Sequence, residues 1–527
     1  MDESPYSIRW TPTHPRWSTR KKPGDFAMNG PGLSRVTRID ALPEPQRDRL
    51  LRSLREHGFH DDTVAAPPAS TGPVDLILTH PIQETSDIAA LVARSLEDPT
   101  LHAPGTSVSR RPPIDFERDV QPTARAIAQR LLERRDAITT ALEHYETHDA
   151  IQDELNASLD LLTHLDQNRD YFVGRIRGVT SFLPLNQPLY AACCFGVVPA
   201  LMSESVVIRP PTAMRTTFAR LEEALALPPL LPQLRVAYDT DKKAFIQARR
   251  EATEAVIFTG TLENAEQVRR AFGPEPLFIF NGSGHNPLVV TPTADVARAV
   301  ASAMHIVLHN QGQDCSAPNA LLVHRSVLPA FCDHLVQQLH GIRDRVGPFH
   351  ERRTLVGPNT DPEAPLLVAR RLAQWARQPG CTLLHGGEVN PVSGIIWPTV
   401  LVAPLRQRAL PAQIGLTEWY APVFLIHPYD DETQLPWYFE HPAYRRNAMY
   451  VTVFGQSPYL RSLVDRGLHT PENLLVDTDL RRTERGFLPF GGNGLGASHL
   501  HHRGRCLPGA TLPQRDIYLH LVRSSPP

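Results

Sequence analysis

A single thiol, Cys315, stands in the run His309-Asn310-Gln311-Gly312-Gln313-Asp314-Cys315-Ser316-Ala317-Pro318, a glycine-loosened turn that follows an apolar stretch. A buried structural cysteine needs no such setting, and a nucleophilic one does. Attack of a thiolate on a carbonyl builds negative charge on oxygen, which fixed dipoles can stabilise. A second feature is Phe258-Thr259-Gly260-Thr261, where a β-branched run ends in a glycine turn and a helix begins near Glu263. Backbone N–H groups and the Thr261 hydroxyl at such a helix start suit a pyrophosphate. Taken alone, one cysteine or one glycine turn is weak, so the order of further segments has to carry the reading.

The elements that would position these groups follow from periodicity. From Phe116 the pattern is helical, with Ile127, Leu131, Ile138 and Leu142 on one face and Ile151, Leu155, Leu159 and Leu162 on a second helix. After Tyr171, short β-branched runs (Val206-Val207-Ile208, Ala255-Val256-Ile257-Phe258, Leu288-Val289-Val290, Leu321-Leu322-Val323) alternate with helical ones. Strands interleaved with helices imply parallel sheets covered on both faces, the doubly wound α/β class. The tail Asp516-Ile517-Tyr518-Leu519-His520-Leu521-Val522 reads as a strand. Residues before about 110 are rich in Pro, Ser, Thr and Arg and read as an irregular arm with weak helical periodicity around Ile88 to Leu96.

Composition bounds the class. The 527 residues, 41% hydrophobic with a formal net charge of −2, describe a soluble globular chain of about three domains with a large core. Nothing calls for nucleic acid, and Arg20-Lys21-Lys22 reads as a solvated stretch. Six cysteines without metal-ligand spacing fit reduced thiols in a cytoplasmic setting, and no metal is expected. The start Met-Asp-Glu-Ser-Pro lacks the features of a signal peptide, so export is not expected. The longest apolar stretch, Leu189 to Met202, contains Gly196 and Pro199 and falls short of the roughly 20 residues a membrane helix needs, so it reads as a buried helix.

Beyond these features, the Cys315 run followed by Asn319-Ala320-Leu321-Leu322-Val323-His324 resembles the nucleophile segment of the aldehyde dehydrogenase superfamily, an Asn-x-Gly-Gln-x-Cys turn before a strand. Six other segments match in family order between about Phe116 and Val522. Pro184-Leu185-Asn186-Gln187-Pro188 is similar to Pro-Trp-Asn-x-Pro, which implies that the Asn186 amide is the oxyanion donor. Phe258-Thr259-Gly260-Thr261 is similar to the family's Phe-Thr-Gly-Ser/Thr turn, which assigns Gly260 and Thr261 to the pyrophosphate. Thr417-Glu418-Trp419-Tyr420-Ala421-Pro422-Val423 resembles Glu-Glu-x-Phe-Gly-Pro-Val, which places Glu418 on the nicotinamide ribose. The run from Gly486 to Gly496 is close to Leu-Pro-Phe-Gly-Gly, a glycine loop at the substrate end of the family's tunnel. The tail strand then stands where the family extends a partner subunit's sheet, which would allow a homodimer.

Three departures bear on chemistry. In Val206-Val207-Ile208-Arg209-Pro210-Pro211-Thr212, Arg209 and Thr212 replace the Lys and Glu of NAD-preferring relatives. Loss of that carboxylate, with Arg209 and Arg215 nearby, removes the repulsion of a 2′-phosphate, so NADP is expected to be tolerated and NAD is not excluded. A Pro-rich loop with a solvated Arg is the bland alternative. In Phe280-Asn281-Gly282-Ser283-Gly284-His285-Asn286-Pro287, Asn281 replaces the Glu that activates water in hydrolytic relatives, and an amide accepts no proton near neutral pH. His285, in place of a Lys, reads as a surface or supporting residue. Only residues 168–181 separate Leu165 from Phe182, too few for the family's oligomerisation hairpin.

The resemblance therefore implies an α/β, aldehyde dehydrogenase-like fold: an N-terminal arm (1–110), a Rossmann-like NAD(P)-binding domain (111–281, with a bridging segment at about 165–181), a catalytic domain (282–485), and a glycine loop with a C-terminal bridging strand (486–527). It implies an NAD(P)-dependent oxidoreductase acting on a small-molecule aldehyde through a thiohemiacetal and thioacyl adduct on Cys315. The missing acid at Asn281 and the short arm keep a second reading open, reduction or formation of an acyl thioester with coenzyme A or an acyl carrier protein. A fold member without redox chemistry, or without any enzymatic role, is the third.

Overall fold

The computed structural model describes residues 8–9, 113–238, 241–407, 415–416 and 418–524. Apart from Ile8–Arg9, the arm before residue 110, with its weak periodicity and Arg20-Lys21-Lys22, lies outside them. Two seven-stranded sheets organise the chain. The first runs, edge to edge, Arg505–Pro508, Ser498–His502, Leu277–Asn281, Ala255–Thr259, Val179–Phe182, Val206–Arg209 and Leu234–Val236. Its last five strands are parallel, and the hairpin Ser498–Pro508 joins antiparallel. The second runs Leu474–Val476, Val451–Phe454, Leu288–Val290, Leu321–His324, Val423–Tyr429, Thr399–Val402 and Thr382–His385, with only the last antiparallel. All four runs read as strands are strands, and parallel pairing with helical crossovers puts the chain in the doubly wound class.

The helices bury the expected stripes. Ile127 and Leu131 of Gln121–Glu133, Ile138 and Leu142 of Arg135–Leu142, and Ile151, Leu155 and Leu162 of His148–Thr163 are buried in one core with the first sheet. Residues 188–200 form a buried helical run, as their composition implies. Their apolar content serves the core, and no helix among the described residues is long and apolar enough to cross a membrane.

Two expectations about the bridging element need correction. The C-terminal strand is a helix, Pro513–Ser524. Pro513 stands in its first turn, the Asp516 carboxylate accepts from the Leu512 N–H (2.8 Å), and the Asp516 N–H donates to the Leu512 carbonyl (2.9 Å). Ile517 and Leu521, four apart, pack into the first core, which decides the period against the Ile517-Leu519-Leu521 alternation. Nor do residues 165–181 form a bridging unit. Leu165–Tyr171 is a short 3₁₀ helix that leads within eight residues to the strand Val179–Phe182, so no hairpin arm is built there. The stretch 498–508 completes the first sheet instead. The remaining small sheet pairs Ile8–Arg9, Glu388–Asn390 and Ile395–Ile396.

Candidate active site

The carboxyl ends of the first sheet's parallel strands share one edge: Phe182 is level with Arg209 and Phe258, and Thr259 is level with Asn281. Ligands of doubly wound sheets bind outside that edge. A cleft opens there, lined among others by Pro184, Asn186, Thr259, Asn281, Cys315 and Glu484. Asn186, Asn281 and Cys315, far apart in sequence, are thus brought together by the two sheets.

Cys315 owes its place to an unusual backbone. Asn310 (φ 46°), Gln311 (φ 48°) and Gly312 (φ 78°) are three consecutive left-handed residues after the helix Val296–Leu308. A Cβ on Gly312 would strike the backbone of Ala421, so the glycine lets the thiol turn dock against the segment that carries Glu418. Asn286 Nδ2 donates to the Cys315 carbonyl (2.8 Å), and Asn186 Nδ2 donates to the Gln313 carbonyl (3.0 Å), leaving its second N–H uncommitted. The Cys315 N–H donates to no backbone carbonyl among the described residues. Asn186 and Cys315 line the same cleft, each with an N–H left uncommitted among the described residues.

Beneath these loops lies a buried carboxyl pair invisible in the apolar stripes. Glu146 Oε1 accepts from the Gln187 N–H (3.2 Å) and from Asn310 Nδ2 (3.3 Å), tying the Asn186 turn to the Cys315 turn. Glu154 Oε2 accepts from the Tyr190 N–H (2.8 Å). Burial raises both acids, Glu154 further because Glu146 lies against it, so the pair retains a proton.

Charge around the sulfur is arranged in a defined way. Asp314 is held by Arg481 Nη1 (2.9 Å), the Ser316 N–H (2.9 Å) and Ser316 Oγ (2.7 Å). Burial opposes its ionisation, but Arg481 and the Ser316 donors outweigh that and its pKa falls below the ordinary value. The Cys315 thiol is pushed far up, first by burial and then by Asp314, Glu484 and Glu418, so the resting group is a thiol that needs a proton acceptor. Glu484, which the sequence reading passed over, is that kind of group. Asp153 and Asp314 pair with Arg481, and Glu154 takes the Tyr190 N–H, whereas the Glu484 carboxyl has no hydrogen bond among the described residues. Burial, then Asp314, push it up to about 8. Only its neighbourhood in space marks it; Glu484-Arg485 has no motif of its own.

Asn281 is held away from proton chemistry: its Oδ1 accepts from Thr511 Oγ1 (2.5 Å), and its Nδ2 is buried without a partner. His285 is buried, lies outside the cleft lining and is pushed down to about 4 by burial. Of the glycine run, Gly486, Leu488 and Phe490 line the cleft, but Gly492 and Gly494 press on the backbone at 446–449, where a side chain would not fit. Their role is close packing, with Leu488 and Phe490 as the apolar wall.

Of the groups matched to a dinucleotide, Arg209, Thr212, Gly260 and Thr261 end or follow strands at the carboxyl edge of the first sheet, whereas Glu418 precedes the strand Val423–Tyr429 of the second sheet. Gly260 adopts φ +149°, its N–H donates to the Asn281 carbonyl (3.0 Å), and a Cβ there would press on the Phe258 ring. Thr261 Oγ1 caps the helix Leu262–Phe272 by accepting from the Asn264 N–H (3.3 Å), so its hydroxyl serves the helix and the first-turn N–H groups remain for an anion. Thr259 Oγ1 is a buried hydroxyl without a partner on the cleft wall. Arg209 is buried with its guanidinium 5.7 Å from the Phe245 ring, which rules out the solvated-loop alternative. Thr212 is exposed and accepts from Arg215 Nη2 at 3.4 Å. Glu418 is pushed up to about 8 by burial and by Asp314, and its backbone carbonyl accepts from Arg371 Nη1 (2.6 Å). A glycine cradle, an open helix start and an orphaned hydroxyl on one edge fit a nicotinamide dinucleotide.

A sequence model of the aldehyde dehydrogenase family matches residues 127–438, more than half of the 527, and the chain belongs to that family. Its curated relatives are distant. The 2-aminomuconic 6-semialdehyde dehydrogenase of a Pseudomonas species is 25% identical over 264 residues, 48% of this chain and 52% of that protein. The NADP(+) succinate-semialdehyde dehydrogenase of Mycolicibacterium paratuberculosis is 28% identical over 241 residues, 44% and 49%. The chain thus spans about half the length of the curated relatives it matches. Among solved structures, the glyceraldehyde-3-phosphate dehydrogenase of Methanocaldococcus jannaschii complexed with NADP superposes with a TM-score of 0.62 at 18% identity, over 76% of this chain and 87% of that one. The succinate-semialdehyde dehydrogenase of Burkholderia pseudomallei gives 0.62 at 18%, over 76% and 84%. These neighbours share the fold.

Proposed function

We propose that the protein is an NAD(P)-dependent oxidoreductase that acts on an aldehyde through a covalent adduct on Cys315. The observation that carries the reading is the meeting of Cys315 and Asn186 on one cleft with Thr259, which precedes the Gly260 turn. As the Cys315 sulfur bonds to the carbonyl carbon, its proton goes to the carboxylate of Glu484, and the C=O electron pair moves to oxygen. Asn186 Nδ2 and the Cys315 N–H donate to that oxyanion. The bound dinucleotide supplies the hydride acceptor, or the donor in the reverse direction. When the carbonyl re-forms, the substrate is a thioester of Cys315. Glu484 releases its first proton to solvent; water then attacks the thioester carbonyl, Glu484 takes one of its protons, and as the C–S bond breaks that proton passes to the sulfur, releasing the acid and the thiol.

Glu484 supports water as acceptor despite Asn281. The loss of an acid at Asn281 keeps a thiol acceptor, coenzyme A or a carrier-protein pantetheine, as the second reading. For the cofactor, Thr212 with Arg215 against it, where a carboxylate would repel a 2′-phosphate, supports acceptance of NADP. Two of the similar proteins carry NADP in their names or titles. Six free thiols fit a cytoplasmic setting. The test is reduction of NAD and NADP against an aldehyde panel, with and without coenzyme A, with the mass of Cys315 peptides followed in parallel. Cofactor reduction with a transient acyl mass on Cys315 is expected. Reduction that survives alkylation of Cys315 would end the proposal.

A further inference from the structure

A second group of chemistry-bearing side chains sits outside the cleft, on the antiparallel hairpin Ser498–His502 and Arg505–Pro508. Register pairs His501 with Cys506, and His499 precedes His501 by two residues, so the three side chains leave one face of the hairpin. Their ligating atoms lie within 4.8 Å of one another. None of the three lines the Cys315 cleft.

Each donor is uncommitted. His499 is buried with Nδ1 against the Leu495 carbonyl (2.8 Å) and its ring 4.7 Å from Phe280, which fixes its tautomer and leaves Nε2 as the open nitrogen. The half-buried His501 and Cys506 have no hydrogen bond among the described residues. Glu266 and Arg269, on the helix Leu262–Phe272, face the same group and are paired with each other at 2.9 Å, so no net charge opposes a cation there.

We propose that His499 Nε2, the His501 ring and Cys506 Sγ form a binding site for a divalent cation of the zinc class, with a fourth position left to water. Two imidazoles and one thiolate suit such a borderline-soft ion. Bond lengths of about 2.0–2.3 Å in a tetrahedron put ligand atoms about 3.5 Å apart, so the group closes by about an ångström on binding. The Cys506 S–H breaks as the S–metal bond forms, and its proton leaves to solvent. The site braces a wall of the cleft: Ser498 is paired with Asn281, and the hairpin runs directly into Thr511, Leu512 and Pro513. The cysteine spacing could not reveal it, because the ligands come from two strands.

The test uses full-length protein carrying Cys315→Ala, which removes the candidate nucleophile as a competing ligand, stripped with chelator and titrated with Co²⁺. One equivalent should bind with tetrahedral visible bands and a thiolate-to-cobalt charge-transfer band, and Zn²⁺ should displace it. Cys506→Ala should lose the charge-transfer band and His501→Ala the one-equivalent uptake, while circular dichroism is retained. Failure of the parent protein to take up one equivalent would overturn the proposal, as would a charge-transfer band that survives Cys506→Ala. The readout is independent of whether the protein oxidises aldehydes.

Discussion

Replacing Glu484 by Gln tests the proton chemistry of the cleft most directly. With its carboxyl pushed up to about 8 by burial and Asp314, about a tenth of the protein carries the carboxylate at pH 7 and about nine tenths at pH 9. Hydrolysis of the thioacyl adduct needs the carboxylate, so it should rise about tenfold across that interval and level off above it. Glu484→Gln keeps the shape but accepts no proton, so hydrolysis should fall by about 10²–10⁴ and become flat in pH. Rapid mixing separates the burst of reduced cofactor, which reports adduct formation, from the steady rate, which reports its breakdown. Because Glu484 also takes the Cys315 proton, the burst should slow in the variant along with the steady rate. A steady rate that keeps both its size and its tenfold rise would refute the assignment and move the base to Glu418, which is also pushed up to about 8.

The same shift has a stability signature of defined sign. The folded state holds this proton more tightly than the unfolded chain, whose carboxyl titrates near 4.5. The stabilisation is therefore fully present below that value and is lost as pH rises through about 8. Relative to Glu484→Gln, the parent protein should lose thermal stability from about pH 5 to about pH 8, and a constant difference would count against the buried carboxyl.

Three further outcomes follow from the geometry. Cys315→Ala should abolish the adduct and cofactor reduction while leaving the melting temperature and dinucleotide binding unchanged, as measured by mass spectrometry and calorimetry; any reduction at the parent rate would end the covalent mechanism. Asn186→Ala should lower the rate of adduct formation by about 10²–10³, the scale of a lost oxyanion donor, and an unchanged burst rate would show that Asn186 only shapes its turn. Thr212→Glu should shift binding from NADP towards NAD in calorimetry by restoring repulsion at the 2′-phosphate, and equal NADP affinity in both proteins would place the adenosine end elsewhere.

What was legible in the sequence and what was not divides along a physical line. The turns that carry Cys315, Asn186 and Gly260 and the strand cores were legible as local structure because each depends on a local requirement: a turn only glycine permits, a strand exit, a β-branched run buried on both faces. The tail failed for a local reason too. Ile517, Leu519 and Leu521 satisfy a period of two, while Ile517 and Leu521 alone satisfy a helical one, and only contact with the first core chooses between them. Glu484, the Glu146–Glu154 pair and the His499–His501–Cys506 group belong to a different kind. Glu484 matters through Asp314 and Cys315 and Glu146 through Gln187 and Asn310, all distant in the chain, while Cys506 meets His501, a few residues before it, only through the hairpin register. A helix stripe records Glu154 only as a polar residue beside Leu155, although burial and the neighbouring Glu146 raise its pKa, and Glu146 joins the two loops that frame the thiol. Replacing a catalytic acid such as the one absent at Asn281 therefore needs no residue at the same place in the chain. It needs one carboxyl, from any segment, left without a partner on the wall of the same cleft.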